Sequence, residues 1–222
     1  MIKLPDFNKM CEYENDFFLS CTDRKLSRFI FHYESYIKTM NLPGSIIECG
    51  VFKGVGLCRF AQFRNLYGGV FSKKIIGFDI FGKFPETNFK DDEITRNNFV
   101  KAAGDESITQ DQLFEVLKYK NCDINIELVK GNICETIPEY IKNNPYLKIS
   151  LLDLDTDLYE PAVTILENFW DRIVEGGILI IDNYAMFAGE TKAVDDFFKD
   201  KNYHVLKDNY CYNPCYIIKE KK

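Results

Sequence analysis

A chain of 222 residues with 46% hydrophobic side chains is long enough for one α/β domain with a full apolar core, and residues 1–222 read as a single domain. Its 28 Lys+Arg against 34 Asp+Glu leave a formal charge of −6, the wrong sign for gripping a phosphate backbone, so nucleic acid is not an expected partner. No apolar run approaches the ~20 residues of a membrane span, and Met1-Ile2-Lys3-Leu4-Pro5-Asp6 lacks the apolar stretch of a signal peptide, so a cytoplasmic protein is expected.

In chain order, Arg24 to Thr39 carries Leu26, Phe29, Ile30, Tyr33 and Ile37 at helical spacing, and 1–43 reads as a helical cap ending at Asn41-Leu42-Pro43-Gly44. Ser45 to Gly50 is a short apolar run closed by glycine, the mark of a buried strand. Lys74 to Asp79, Ile124 to Val129, Lys148 to Leu154 and Gly177 to Ile181 repeat the design. Helical patterns fill the gaps at Gly56 to Leu66, Asp111 to Tyr119, Glu135 to Asn143, Tyr159 to Ile173 and Thr191 to Lys199. Apolar strands alternating with helices predict a mostly parallel sheet with helices on both faces. Tyr203 to Leu206 and Cys215 to Ile218 follow with too little chain between them for a helical crossover. They predict an antiparallel pair at the sheet edge and bring the count to seven strands. The polar stretch 84–105, with Asn88, Asp91, Asp92, Glu93, Arg96, Asn97 and Asn98, fits no element and reads as a lid or substrate insertion.

The eight cysteines are scattered among apolar neighbours and match no zinc spacing, so reduced structural thiols are expected. With only His32 and His204 available, acid–base or metal chemistry has to lean on carboxylates. In open α/β sheets ligands lie outside the carboxyl ends of the strands, at the topological switch point. The first strand ends in Glu48-Cys49-Gly50-Val51-Phe52-Lys53-Gly54-Val55-Gly56, and Phe52 stands where a dinucleotide fingerprint has its second glycine. A pyrophosphate is thereby disfavoured. An adenosine ligand without one fits better, with Asp79 at the second strand end accepting from ribose hydroxyls and the Gly131-Asn132 turn near an adenine; S-adenosylmethionine has that description. The fourth strand ends in Asp153-Leu154-Asp155-Thr156-Asp157 and the fifth in Asp182-Asn183-Tyr184. Clustered acids at one edge need a compensating cation, and an all-oxygen set suits Mg²⁺ or a similar divalent ion.

Pro43 through Gly54, Asp79 through Pro85, Asp155 through Glu160, Gly176-Gly177 through Asp182-Asn183-Tyr184, and Gly189 through Phe197 together resemble the macrocin O-methyltransferase (TylF/MycF-like) family. The resemblance runs from about Thr22 to Phe198. It implies a Rossmann-like class I methyltransferase fold, S-adenosylmethionine and Mg²⁺ as cofactors, and transfer of a methyl group to a hydroxyl of a sugar or sugar-containing small molecule. Carried over by position, it implies cofactor contacts at Glu48, Gly50, Gly54, Asp79, Gly131 and Asn132, metal ligation by Asp155, Asp182 and Asn183, and Asp157 as general base. Two departures stand out: Gly54-Val55-Gly56 replaces paired glycines in the first loop, and Asp182-Asn183-Tyr184 replaces Asp-Asp-Tyr. An Asp, Asp, Asn set also resembles that of catechol-type O-methyltransferases, which keeps a phenolic acceptor in view and would move the strand-four ligand to Asp153. A binding protein without catalysis is the remaining alternative, and a homo-oligomer is left open.

Overall fold

Runs of Ile, Leu, Val and Phe without polar alternation can only be stable in a sheet covered on both sides. In the computed structural model, which describes residues 1–220, these runs form β1 (Ser45–Cys49), β2 (Ile75–Asp79), β3 (Ile126–Lys130), β4 (Ile149–Leu154) and β5 (Ile173–Ile181), all parallel. A last strand, β6 (Cys215–Ile218), pairs antiparallel with β5. The order is β3-β2-β1-β4-β5-β6, so the chain winds outward from β1, returns across it to β4, and leaves its switch point between β1 and β4.

Among the described residues eight α-helices connect and flank the strands: α1 (Met10–Ser20), α2 (Asp23–Thr39), α3 (Val55–Tyr67), α4 (Glu93–Ala103), α5 (Gln110–Tyr119), α6 (Ile133–Asn143), α7 (Tyr159–Phe169) and α8 (Ala188–Phe198). Successive strand side chains point to opposite faces. Ile46, Ile75, Leu151, Ile178 and Ile180 therefore pack with Phe31 and Tyr36 of α2, Leu57 and Phe60 of α3, and Leu113 of α5. Ile47, Phe78, Leu152, Leu154 and Leu179 pack on the other face with Ile137 of α6, Ile165 and Phe169 of α7, and Val194 of α8. Local chemistry sets the helix starts nearest the site. Gly54, at φ +80°, caps α3; Thr109 and Gln112 form a capping box on α5; and Asn132 Oδ1 accepts from the Cys134 N–H, 3.0 Å away, at the head of α6.

Three expectations are corrected or refined. Among the described residues the sheet has six strands, because Tyr203 to Leu206 contributes a single bridge, Leu206 to Tyr216. Tyr203 turns its ring onto Trp170 (4.8 Å between centroids) and Phe198 (5.8 Å), which takes that backbone away from the sheet. The helix expected from Arg24 is present, but its sheet-facing stripe is Ser27, Phe31, His32, Ser35, Tyr36 and Thr39, while Leu26, Phe29 and Ile30 remain more than a third exposed. Small hydroxyls can be buried there because they bond back to their own helix: Thr39 Oγ1 donates to the Ser35 carbonyl (2.8 Å) and Ser27 Oγ to that of Arg24 (3.2 Å). Residues 84–105 are also partly helical, with α4 inside the insertion. All eight cysteines are free thiols, and among the described residues no helix is long and apolar enough to cross a membrane.

Candidate active site

The loops leaving β1, β2, β4 and β5 each hold one non-glycine residue in the left-handed region: Phe52 (φ +47°), Phe81 (+45°), Asp157 (+65°) and Ala185 (+62°). Such conformations cost about 1–3 kcal/mol each and persist only where surrounding contacts enforce them. Their concentration at one edge of the sheet coincides with the residues expected to carry chemistry.

The expected cofactor residues line the β3-β2-β1 half of that edge. Glu48 is buried at the end of β1. Its Oε1 lies where a Cβ on Gly56 would come within 2.0 Å, so that glycine is what makes room for the carboxylate, and its Oε2 has no hydrogen-bond partner. Gly50 has φ +97°, and a Cβ there would fall 1.8 Å from the Asp155 carbonyl oxygen, so the β1 and β4 loops can approach each other only through glycine. The Asp79 carboxylate fixes both neighbouring loops: the Phe52 N–H donates to Oδ2 (2.9 Å) and the Phe81 N–H to Oδ1 (2.6 Å). Burial pushes its pKa up while these donors pull it down. Gly131 donates its N–H to the Asp79 carbonyl (3.0 Å), which brings the Gly131-Asn132 turn beside it. Asn132 spends its side-chain oxygen on the α6 cap.

The β4 and β5 ends form the other half. Asn183 Nδ2 donates to Asp157 Oδ1 (2.7 Å) and to Asp155 Oδ1 (3.0 Å). Arg28 of α2 reaches in from above, one guanidinium nitrogen lying 2.7 Å from Asp155 Oδ2 and 2.7 Å from Asp182 Oδ2. Asp182 and Asp157 are both buried, which pushes their pKa values well up, and the charge of Asp155 adds to this while Arg28 opposes it. Asp153 lies further back in β4 but within reach of the charges of Asp155 and Arg28. It is fully buried between β1 and β5, registered against Glu48, with His32 Nε2 3.9 Å away, and burial followed by the charge of Asp155 pushes it up to about 8. Burial, then the charge of Arg28, drives His32 toward its neutral form.

Four residues here were not singled out from sequence as functional. Besides Arg28 and His32, Glu190 of α8 is fully buried and accepts the Asp157 N–H at Oε2 (3.1 Å) and the Asn183 N–H at Oε1 (2.8 Å). Asp92, also fully buried, accepts the Tyr159 N–H (3.1 Å) and the Gly189 N–H (2.7 Å). The available signal was a polar stripe through α2, with Arg28, His32 and Ser35 at helical spacing, and an acid directly after the apolar Phe187-Ala188-Gly189.

The donor chemistry fits a hard divalent cation, since the Asp155 and Asp182 carboxylates and the Asn183 amide can offer oxygens, and Asp182 Oδ1 has no partner while Oδ2 is held by the Arg28 ion pair alone. Among the described residues no group of three His, Cys, Asp or Glu could hold a metal, so the third ligand would be the amide of Asn183, whose Nδ2 now faces the acids. The unpartnered Glu48 oxygen beside the glycine-lined β1 loop fits a ligand rich in donors, as an adenosyl amino acid is. A cavity of about 290 Å³ is lined by Asp23, Arg24 and Ser27 of α2, Met186 after β5, and Tyr210 and Tyr212 before β6.

Residues 23–208 match the family described as Macrocin-O-methyltransferase (TylF). The chain is 26% identical over 163 residues to the demethyldecarbamoylnovobiocin O-methyltransferase of Streptomyces niveus, covering 71% of this chain and 59% of that one. It is 29% identical over 153 residues to the 8-demethyl-8-(2,3-dimethoxy-alpha-L-rhamnosyl)-tetracenomycin-C 4'-O-methyltransferase of Streptomyces olivaceus, covering 66% and 55%. The chain thus spans less than two thirds of the length of the curated relatives it matches. The crystal structure of CalS11, a calicheamicin methyltransferase, aligns with a TM-score of 0.78 at 26% identity over 93% of this chain and 84% of that one. With its sheet order, its acidic carboxyl edge and a family match over most of its length, the chain belongs to the TylF macrocin O-methyltransferase family and has the class I methyltransferase fold.

Proposed function

We propose that this protein is an S-adenosylmethionine- and Mg²⁺-dependent O-methyltransferase acting on a hydroxyl of a deoxysugar-containing small molecule. The observation that carries the reading is the convergence of Asp155, Asp157, Asp182 and Asn183 at the carboxyl edge of a chain in this family. When bound, the cofactor would supply an activated sulfonium methyl and the cation would make a bound hydroxyl more acidic.

The chain's own residues would do the rest. Asp157 takes the hydroxyl proton: burial of its carboxylate raises its proton affinity, the direction that favours a base. Asn183 holds Asp157 Oδ1, and Glu190 holds the backbone of both residues, so the base has one orientation. Asp155, Asp182 and Asn183 would hold the cation; Asp153, turned toward Glu48 and His32, is less well placed for this. Glu48, Gly50, Gly54, Asp79, Gly131 and Asn132 would hold the methyl donor across the switch point. The 290 Å³ cavity supports a place for the acceptor, its lining including Tyr210 and Tyr212, whose aromatic rings are of a kind that suits a sugar.

Asp157→Asn is expected to lower kcat by about 10²–10⁴-fold while calorimetric affinity for S-adenosylhomocysteine is unchanged; full activity in the variant removes Asp157 from the base role. Chelation with EDTA is expected to abolish turnover and added Mg²⁺ to restore it, and indifference to EDTA would end the metal assignment. A phenolic acceptor is the second reading, favoured by the amide at Asn183. Assaying a nucleotide-linked deoxysugar against catechol separates the two.

A further inference from the structure

Both oxygens of Asp155 are already engaged by donors from the chain itself. Asn183 Nδ2 occupies Oδ1 at 3.0 Å and Arg28 occupies Oδ2 at 2.7 Å. The same Arg28 nitrogen lies 2.7 Å from Asp182 Oδ2. Asp182 has a side-chain exposure of 1% and no hydrogen bond to either carboxylate oxygen, so the ion pair is its compensation for leaving water. Arg28 differs in one respect: its side chain is 31% exposed, so part of it already meets solvent, whereas Asp182 is enclosed.

We infer that Arg28 is the resident counter-ion of the acidic edge, and that a divalent cation binds there by displacing its guanidinium from Asp155 and Asp182. The inference rests on the metal assignment proposed above. Asp155 Oδ1 is taken by Asn183 and only Asp182 Oδ1 is without a partner, so a hard cation bound by both carboxylates needs the Asp155 oxygen that Arg28 now holds. Two cations on one pair of carboxylates, only a few ångströms apart and partly shielded from water, would repel each other strongly. Metal entry is therefore an exchange of one positive charge for another, and the metal's apparent affinity is reduced by whatever the arginine contributes. Because Arg28 belongs to α2, whose residues Asp23, Arg24 and Ser27 line the 290 Å³ cavity, the exchange also releases the tie between that helix and the strand ends.

The test is calorimetric titration of MgCl₂ into the full chain and into Arg28→Met and Arg28→Lys, with thermal unfolding followed in parallel with and without Mg²⁺. Arg28→Met is expected to bind Mg²⁺ on the order of ten- to a hundredfold more tightly than the wild type. Its Tm without metal should fall and should rise more on adding Mg²⁺ than that of the wild type. Arg28→Lys keeps the charge but loses the planar guanidinium, and an intermediate affinity is expected; this variant decides the matter if Arg28→Met does not fold without metal. Equal, measurable affinity in the wild type and whichever variants fold overturns the displacement and leaves the metal assignment standing. Absence of binding in all of them, with S-adenosylhomocysteine still bound, overturns both.

Discussion

Asp157 is held at φ +65° by contacts that converge on it from other elements, and Glu190 is the chief of them. One carboxylate accepts the backbone N–H groups of both Asp157 and Asn183, so the β4 and β5 loops are referenced to a single group as well as to each other through the Asn183 amide. On the proposed reading Glu190 acts through the backbones of Asp157 and Asn183, as a positioning residue. Glu190→Ala leaves two buried N–H groups without an acceptor and frees the left-handed turn to relax. We expect a fall in kcat of about 10–100-fold, since displacement of a reacting group by about 1 Å is worth that much. Affinity for S-adenosylhomocysteine should be unchanged. Steady-state kinetics with calorimetry check this, and a change confined to Tm would show that Glu190 serves stability alone.

At the scale of elements, the insertion 84–105 is tied down where it meets the site. Asp92 accepts N–H groups at the heads of α7 and α8, Phe89 stacks on Tyr159 with centroids 4.9 Å apart, and Glu160 accepts the Asn88 N–H at 3.1 Å. Further on, Phe99 of α4 packs against Phe52 of the β1 loop at 5.3 Å. The segment is thus an extension of the α7–α8 layer that reaches back over the cofactor half. Asp92→Ala removes the acceptor for two buried or half-buried N–H groups and should cost about 1–3 kcal/mol locally. Limited trypsin digestion at Lys90, Arg96 and Lys101 should then accelerate with the sheet still intact by far-ultraviolet circular dichroism; an unchanged digestion rate would mean that the aromatic contacts alone suffice.

For the molecule as a whole, what sequence reading captures and what it misses follow from the range of the interactions involved. Continuous apolar runs closed by Gly or Asp identify β1, β2 and β4 to within a residue, because strand, turn and polar strand end are written in adjacent letters. The acids of the β4 and β5 ends meet as expected, since a parallel sheet puts the carboxyl ends of neighbouring strands side by side. Arg28 could not be read in this way: its partner Asp155 is 127 positions away, and within its own helix it looks like one more solvated charge. The buried face of α2 was hidden for a related reason, as its hydroxyls are satisfied by the helix itself and so escape a count of apolar positions. The seventh strand failed on a competition that local pattern does not record, the pull of Trp170 on the Tyr203 ring. The antiparallel closure by β6 was legible, and it bears on how the protein is made. The outer edge of β5 at Ile178–Ile181 is one of the most apolar stretches of the chain, and its partner is translated only after α8 and the 207–214 loop. Until Cys215–Ile218 arrives, that edge offers unpaired amides and carbonyls to any other strand in reach. Such an open edge pairs readily with other strands, so the yield of this fold is expected to fall as the concentration of neighbouring nascent chains rises.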